Sequence, residues 1–164
     1  MTLELAIVLA QMTSVLFLAL WLTTGVFENV FYPHLNSTFT AEVLDMKRMR
    51  EDYPEAYAMV AHRRIANPKL QLFLFRVIVA WEMLALLALW AAVIAFAMVL
   101  FGGADIATAR TIGVLATLTF TATWAGFLIV GNWFCYWFCH EGAQNTHFMM
   151  TLWGLATLVL LVAG

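Results

Sequence analysis

Between Gly131 and Thr151 the chain places Cys135, Cys139, His140, Glu141 and His147 among Trp133, Tyr136, Trp137 and the amides Gln144 and Asn145. Thiolate and imidazole are ligands for copper or zinc. The spacing, however, contains neither a CxxC nor a histidine pair three to five residues apart. No metal site and no cofactor are expected here, with haem, quinone or copper as the alternatives. Haem would need axial ligands facing each other across a bundle. His34, His140 and His147 all fall near one end of the hydrophobic segments, so such a pair is conceivable only at a membrane face. The plainer reading makes these histidines interfacial hydrogen-bonding groups, with Trp133, Tyr136 and Trp137 as an aromatic belt.

Glu82 is the other residue with chemistry to offer. It is the single charge between Val77 and Phe101, a window holding 13 Leu, Ile, Val and Phe residues. Those residues favour insertion by roughly 4–8 kcal/mol in sum, against roughly 2.5–3.5 kcal/mol for one carboxylate near the centre. Insertion wins, and Glu82 is expected inside the membrane. There it would serve as a proton carrier, an ion ligand, or a polar anchor for a bound quinone or lipid headgroup. The alternative is a protonated glutamic acid hydrogen-bonded to a threonine at the same depth, Thr121 or Thr123. Glu28 and Arg76, each near the same end of its segment, are expected to form an interhelical ion pair. Thr121 and Asn132 complete the expected set of interhelical polar contacts.

The elements that position these residues follow from composition. Of 164 residues, 64% are hydrophobic and 11% charged, against about 25% charged in ordinary globular domains. Apolar segments long enough to cross about 30 Å of hydrocarbon run over residues 5–31, 70–101, 106–134 and 145–163. The expected fold class is all-α: one integral membrane four-helix bundle over 1–164, with short surface helices within 40–66. Thr40 is read as the cap of the first surface helix, whose apolar stripe is Val43, Leu44, Met46 and Met49. Pro54 suits the first turn of a second, and Asn67 with Pro68 closes it. Asp105 is expected to cap the third span, and Gln144 and Asn145 the fourth. Ala88 with Ala92, and Ala122 with Gly126, are small pairs that admit close helix approach. The N-terminal stretch has no basic region or cleavage motif of a signal peptide, so the first segment is expected to be retained.

Several function classes drop out. The net charge of −2 argues against nucleic acid. A nucleophile elbow, P-loop, dinucleotide fingerprint and HExxH motif are all absent, so no catalytic residue is assigned. Six Lys or Arg lie in residues 35–69, while Arg110 stands alone at the opposite end, which places the long loop in the cytoplasm by the positive-inside rule. Little extramembrane mass, small-residue faces and aromatic ends point to a non-catalytic accessory or assembly subunit. It would pack against other membrane subunits or its own copies, with Trp133, Trp137, Gln144 and Asn145 at the interface. A second reading is a quinone-, haem- or metal-binding subunit using Glu82, His34, His140 and His147. A third is a small proton-coupled transporter or channel centred on Glu82.

The run from Gly25 to Asn29, then Glu42 to Met46, His62 to Ile65, Arg76 to Glu82 and Gly131 to Phe134, followed by Trp137, Gln144 and Asn145, resembles a bacterial family of small integral membrane proteins, domain of unknown function 2165. The resemblance implies four transmembrane helices and a bacterial inner membrane, and no established activity. Two departures stand out: Glu42 where the family pattern has histidine, and His140, Glu141 and Gly142 where it has a Trp-Asn-Gly run. Members tend to have basic N-termini, which implies the long loop on the outside, opposite to the charge count.

Overall fold

The computed structural model describes residues 2–163, and the described residues are helical without strands. Helix α1 spans Leu3–Phe31, α5 Pro68–Leu100, α6 Ile106–Trp133 and α8 Glu141–Ala163; among the described residues these four are long and apolar enough to cross a membrane. Between α1 and α5 lie α2 (His34–Leu44), α3 (Lys47–Asp52), α4 (Pro54–Val60) and a single 3-10 turn, Ala61–Arg63. The short α7 (Tyr136–Cys139) bridges α6 and α8. The all-α membrane bundle expected from composition is what the chain forms.

Helix α5 packs between α1 and α6, α6 packs against α8, and α8 returns to α1, closing a ring of four. Val15, Leu18, Leu22, Leu89, Phe96 and Phe120 fill its centre. Lipid supplies no hydrophobic drive between helices, so close packing and interhelical hydrogen bonds must hold the ring. Two glycines admit close approaches between the spanning helices. A Cβ at Gly154 of α8 would run into the Thr121 hydroxyl of α6, and one at Gly113 would stand 3.0 Å from the Phe96 ring. The indole of Trp81 donates to Thr123 (3.0 Å) and that of Trp90 to Thr23 (3.1 Å), each crossing between helices.

At the loop-free end, Gln11 is fully buried. Its amide nitrogen donates to the carbonyls of Leu160 (3.0 Å) and Leu161 (3.4 Å), while its oxygen accepts from Arg110 Nε (3.1 Å). One side chain thus ties α1, α6 and α8 together.

The loop forms a lid of its own. Leu44, Met46 and Met49 pack with Phe134 in a second apolar cluster, so three of the four residues in the expected stripe are the buried ones. Asp45 is the electrostatic hub, accepting from Arg50 (3.0 Å) and Arg64 (2.8 Å), and its hydrogen bond, with its charge, holds the Arg64 guanidinium above its ordinary range. Met46 adopts a left-handed backbone (φ 49°), an unusual state for a residue with a Cβ; burying its side chain in the cluster retains it there. Two expected caps are corrected. Thr40 lies inside α2, which begins at His34 because Pro33 ends α1 and restarts the chain. Asn67 opens α5 rather than closing α4: its side chain accepts from the amides of Lys69 (2.9 Å) and Leu70 (3.4 Å). Asp105 does cap α6, accepting from the Thr108 amide at 2.9 Å and the Thr108 hydroxyl at 2.6 Å. Both bonds hold its carboxyl below the usual range, the hydroxyl contributing most.

Candidate functional site

A cavity of about 440 Å³ opens at the loop end of the bundle, within the size range of small-molecule sites. Its wall comes from Trp21, Glu28 and Asn29 on α1, Asn36 and Phe39 on α2, and Phe75 and Glu82 on α5. Trp124 and Phe127 on α6, Tyr136 on α7 and His147 on α8 complete the circuit. Pro33 makes this possible locally. By breaking the helix it folds α2 back toward α5, bringing Asn36 over Asn29.

Glu82 is 5% exposed. Its Oε2 accepts from Asn29 Nδ2 at 2.7 Å, and Asn29 Oδ1 accepts from Asn36 Nδ2 at 2.8 Å. Asn29 thus turns its NH2 to Glu82 and its oxygen to the NH2 of Asn36. A carboxyl group removed from water needs such a partner. Among the described residues the Glu82 carboxyl is hydrogen-bonded through Oε2, and Oε1 has no hydrogen bond. Nor does the buried indole nitrogen of Trp124, another wall residue.

His147 sits in an aromatic slot, with ring centroids 4.9 Å from Phe127, 5.6 Å from Trp124 and 6.0 Å from Tyr136. Its Nδ1 is 3.5 Å from the Tyr136 hydroxyl. Tyr136 can stand there because residue 131 is glycine; a Cβ at Gly131 would lie 2.6 Å from the tyrosine ring. Cys135 precedes it with a left-handed backbone (φ 53°), which ends α6 and turns α7 across the bundle. Burial raises the Tyr136 phenol.

The structure separates the remaining sequence-derived site residues. Glu82 and His147 share the cavity. His140 is 7% exposed and lies behind the wall, its ring edge-on to Phe39 at 5.0 Å with Nδ1 unpartnered. Burial, with the Arg48 charge, holds it below the ordinary histidine range, Glu42 opposing. His34 lies in a second hollow with Ser37 and Arg76, on the far side of Asn29 and Phe75. The four ion pairs among the described residues all lie in the loop, and Glu28 with Arg76 is not one of them. Thr121 donates to its own helix, to the Thr117 carbonyl at 2.8 Å, so the threonine partner expected for Glu82 is replaced by Asn29. Asn132 is exposed on α6.

Trp133 and Trp137 are about half exposed, and the Arg63 guanidinium stacks 4.7 Å over Trp133 while donating to its carbonyl at 3.2 Å. Gln144 and Asn145 lie within α8 rather than ahead of it, since that helix begins at Glu141. Among the described residues no three of His, Cys, Asp and Glu converge as metal ligands. Burial raises the Cys139 thiol, the Asp52 charge adding to this and Arg48 opposing.

These features define a small polytopic membrane protein with a polar-floored cavity at its loop end. The chain belongs to the family described as predicted small integral membrane protein, domain of unknown function 2165, whose model matches residues 7–163. No curated protein and no solved structure matches it.

Proposed function

We propose that this protein binds a small amphipathic molecule in the cavity, with Glu82 as the polar anchor, and that it does so without catalysing a reaction on it. The supporting observation is the Asn36–Asn29–Glu82 chain on the cavity wall. It fixes a buried carboxyl group in place while leaving Oε1 without a protein partner. Apolar lining with a few placed polar groups is the usual make-up of a ligand site. An intramembrane carboxylate is, by its cost, a functional group until shown otherwise.

The test uses a variant that fills the space. Gly25 lines the cavity, and a Cβ there meets nothing within 4 Å. Native mass spectrometry of the protein purified in mild detergent should show a retained small molecule in the wild type and none in Gly25→Trp. An empty wild type after exposure to a membrane extract would sink the proposal.

A second reading, an accessory subunit packed against other membrane subunits or its own copies, is favoured by Ala122 and Gly126. Ala122 is exposed, and a Cβ at Gly126 meets nothing within 4 Å, so this small-residue face is left open by the bundle. Purification as a monomer with no co-purifying protein would count against it. For topology we propose the bacterial inner membrane with the loop in the cytoplasm, from the excess of bases there. Met59 is 80% exposed on that loop; Met59→Cys should resist an impermeant maleimide in intact cells and react after lysis. Labelling in intact cells would reverse the orientation.

A further inference from the structure

We infer that the occupant of the cavity is an organic cation, a hydrophobic amine or quaternary onium, held between carboxylates and aromatic faces. The inference rests on the binding role proposed above and narrows it to a chemical class.

The charge inventory of the wall carries the argument. Two carboxylic acids line the cavity, Glu28 and Glu82, and no lysine or arginine does. Neither acid forms an ion pair among the described residues. Five of the six loop bases are committed elsewhere: Arg50 and Arg64 to Asp45, Lys47 and Arg48 to Glu42, and Arg63 to Trp133; the sixth, Lys69, does not line the cavity. Arg76 lines the second hollow and not the cavity. A bundle that needed Glu82 only for packing would be served as well by an amide, which carries no latent charge. A bundle that received an anion would place a base at its wall.

The rest of the wall fits the same occupant. Trp21, Phe39, Phe75, Trp124 and Tyr136 present aromatic rings from five different helices. Ring faces carry negative quadrupole density, and a cation stripped of water is attracted to them, most strongly to tryptophan. Neutral carbonyl ligands fit less well. A neutral carbonyl would find the Trp124 indole nitrogen as an unpartnered donor, while Asn29 turns its NH2 to Glu82 and Asn36 to Asn29, and it would leave Glu82 Oε1 unmet. What the floor offers a ligand is an acceptor, Glu82 Oε1. Glu28, exposed at the rim, adds a second negative charge on the way in.

Three probes of similar aromatic character and different charge test this: tetraphenylphosphonium, tetraphenylborate and neutral triphenylphosphine. Each is titrated calorimetrically into the detergent-purified full chain, its Glu82→Gln variant and its Glu28→Gln variant. The phosphonium should bind at least tenfold more tightly than the other two. Glu82→Gln should lose tenfold or more of that affinity, and Glu28→Gln a smaller part, with neutral-probe binding unchanged. Should Glu82→Gln fail to fold, the exposed Glu28→Gln change still reads the rim charge. Equal binding of all three probes, tighter borate or neutral binding, or phosphonium affinity untouched by both variants would overturn the cation assignment. Binding of the neutral probe in those cases, abolished by Gly25→Trp, would leave the cavity's binding role standing. If none of the probes binds, the cation assignment falls, and the retained-ligand experiment decides the broader role separately.

Discussion

Asn29 on α1 donates to Glu82 on α5 across 2.7 Å, and both residues are buried. This is a cross-helix hydrogen bond to a carboxyl group inside a membrane span, and Asn36 holds its donor in place from α2. Removing the middle member should therefore do more harm than altering the end. Asn29→Leu strands both the Asn36 amide and the Glu82 carboxyl. It should cost about 1–3 kcal/mol, the range for leaving a buried polar group unsatisfied. Glu82→Gln keeps an oxygen to accept from Asn29 and should stay within about 1 kcal/mol of wild type. Reversible unfolding in mixed micelles compares the two; a more damaging Glu82→Gln would break this account.

Gln11 plays a corresponding part at the opposite end of α1. Gln11→Leu should destabilise the bundle by about 1–3 kcal/mol, because the amide contacts to Leu160 and Leu161 and the Arg110 contact go together. Hydrogen exchange should rise selectively in the last turn of α8. Protection left intact there would show that the tie is dispensable.

The contact of α6 with α8 depends on residue 154 having no side chain. Gly154→Ala should cost about 1–3 kcal/mol by overpacking, since its Cβ would overlap the Thr121 hydroxyl and stand 3.1 Å from Thr121 Cβ. Thr121→Ala removes the overlapping atom. The double variant should recover at least about 0.5 kcal/mol relative to the sum of the single changes. Simple additivity would mean that the helices part instead of clashing.

His140 should make the loop end sensitive to acid. The unfolded chain takes a proton on this residue near the ordinary histidine value of 6.5, while in the folded chain burial and Arg48 hold it lower. Between those two points the unfolded state carries more protons, so stability falls as pH drops and levels off below the folded value. His140→Phe, which removes the titrating group and the unpartnered Nδ1, should flatten this acid slope. The measurement is the unfolding midpoint against pH for both proteins, and parallel curves would contradict the assignment.

Much of this was legible in the residues. Four apolar stretches, a proline at 33 and a glycine pair at 102–103 suffice for a four-helix bundle, because a bilayer leaves an apolar backbone few options besides helix. The depth of Glu82 was legible too: Trp81, its neighbour, meets Thr123, at the level expected from counting along the helices. Its direction was not. Adjacent residues on a helix point about 100° apart, so Trp81 faces α6 while Glu82 faces α1. Depth is a one-dimensional count, whereas facing depends on how each helix is rotated against its neighbours.

A signal for the partner was nonetheless present. The buried face of α1 runs Val8, Gln11, Val15, Leu18, Leu22, Val26 and Asn29, at helical spacing. A polar residue on each end of an otherwise apolar stripe marks where the helix needs a hydrogen bond. What no pattern in the chain revealed was the return of α2, which closes Asn36 over Asn29 and makes a cavity wall from a loop. Nor did it reveal the parting of His34, His140 and His147, which were expected near one end of the bundle and occupy three different settings. By itself the sequence determined the lipid solvent, the four spanning helices and the depth of Glu82, because hydropathy and rise per residue act locally along the chain. Only the tertiary structure decided which polar groups meet, because that rests on helix rotation and on the turn at Pro33, which couple residues far apart in the chain.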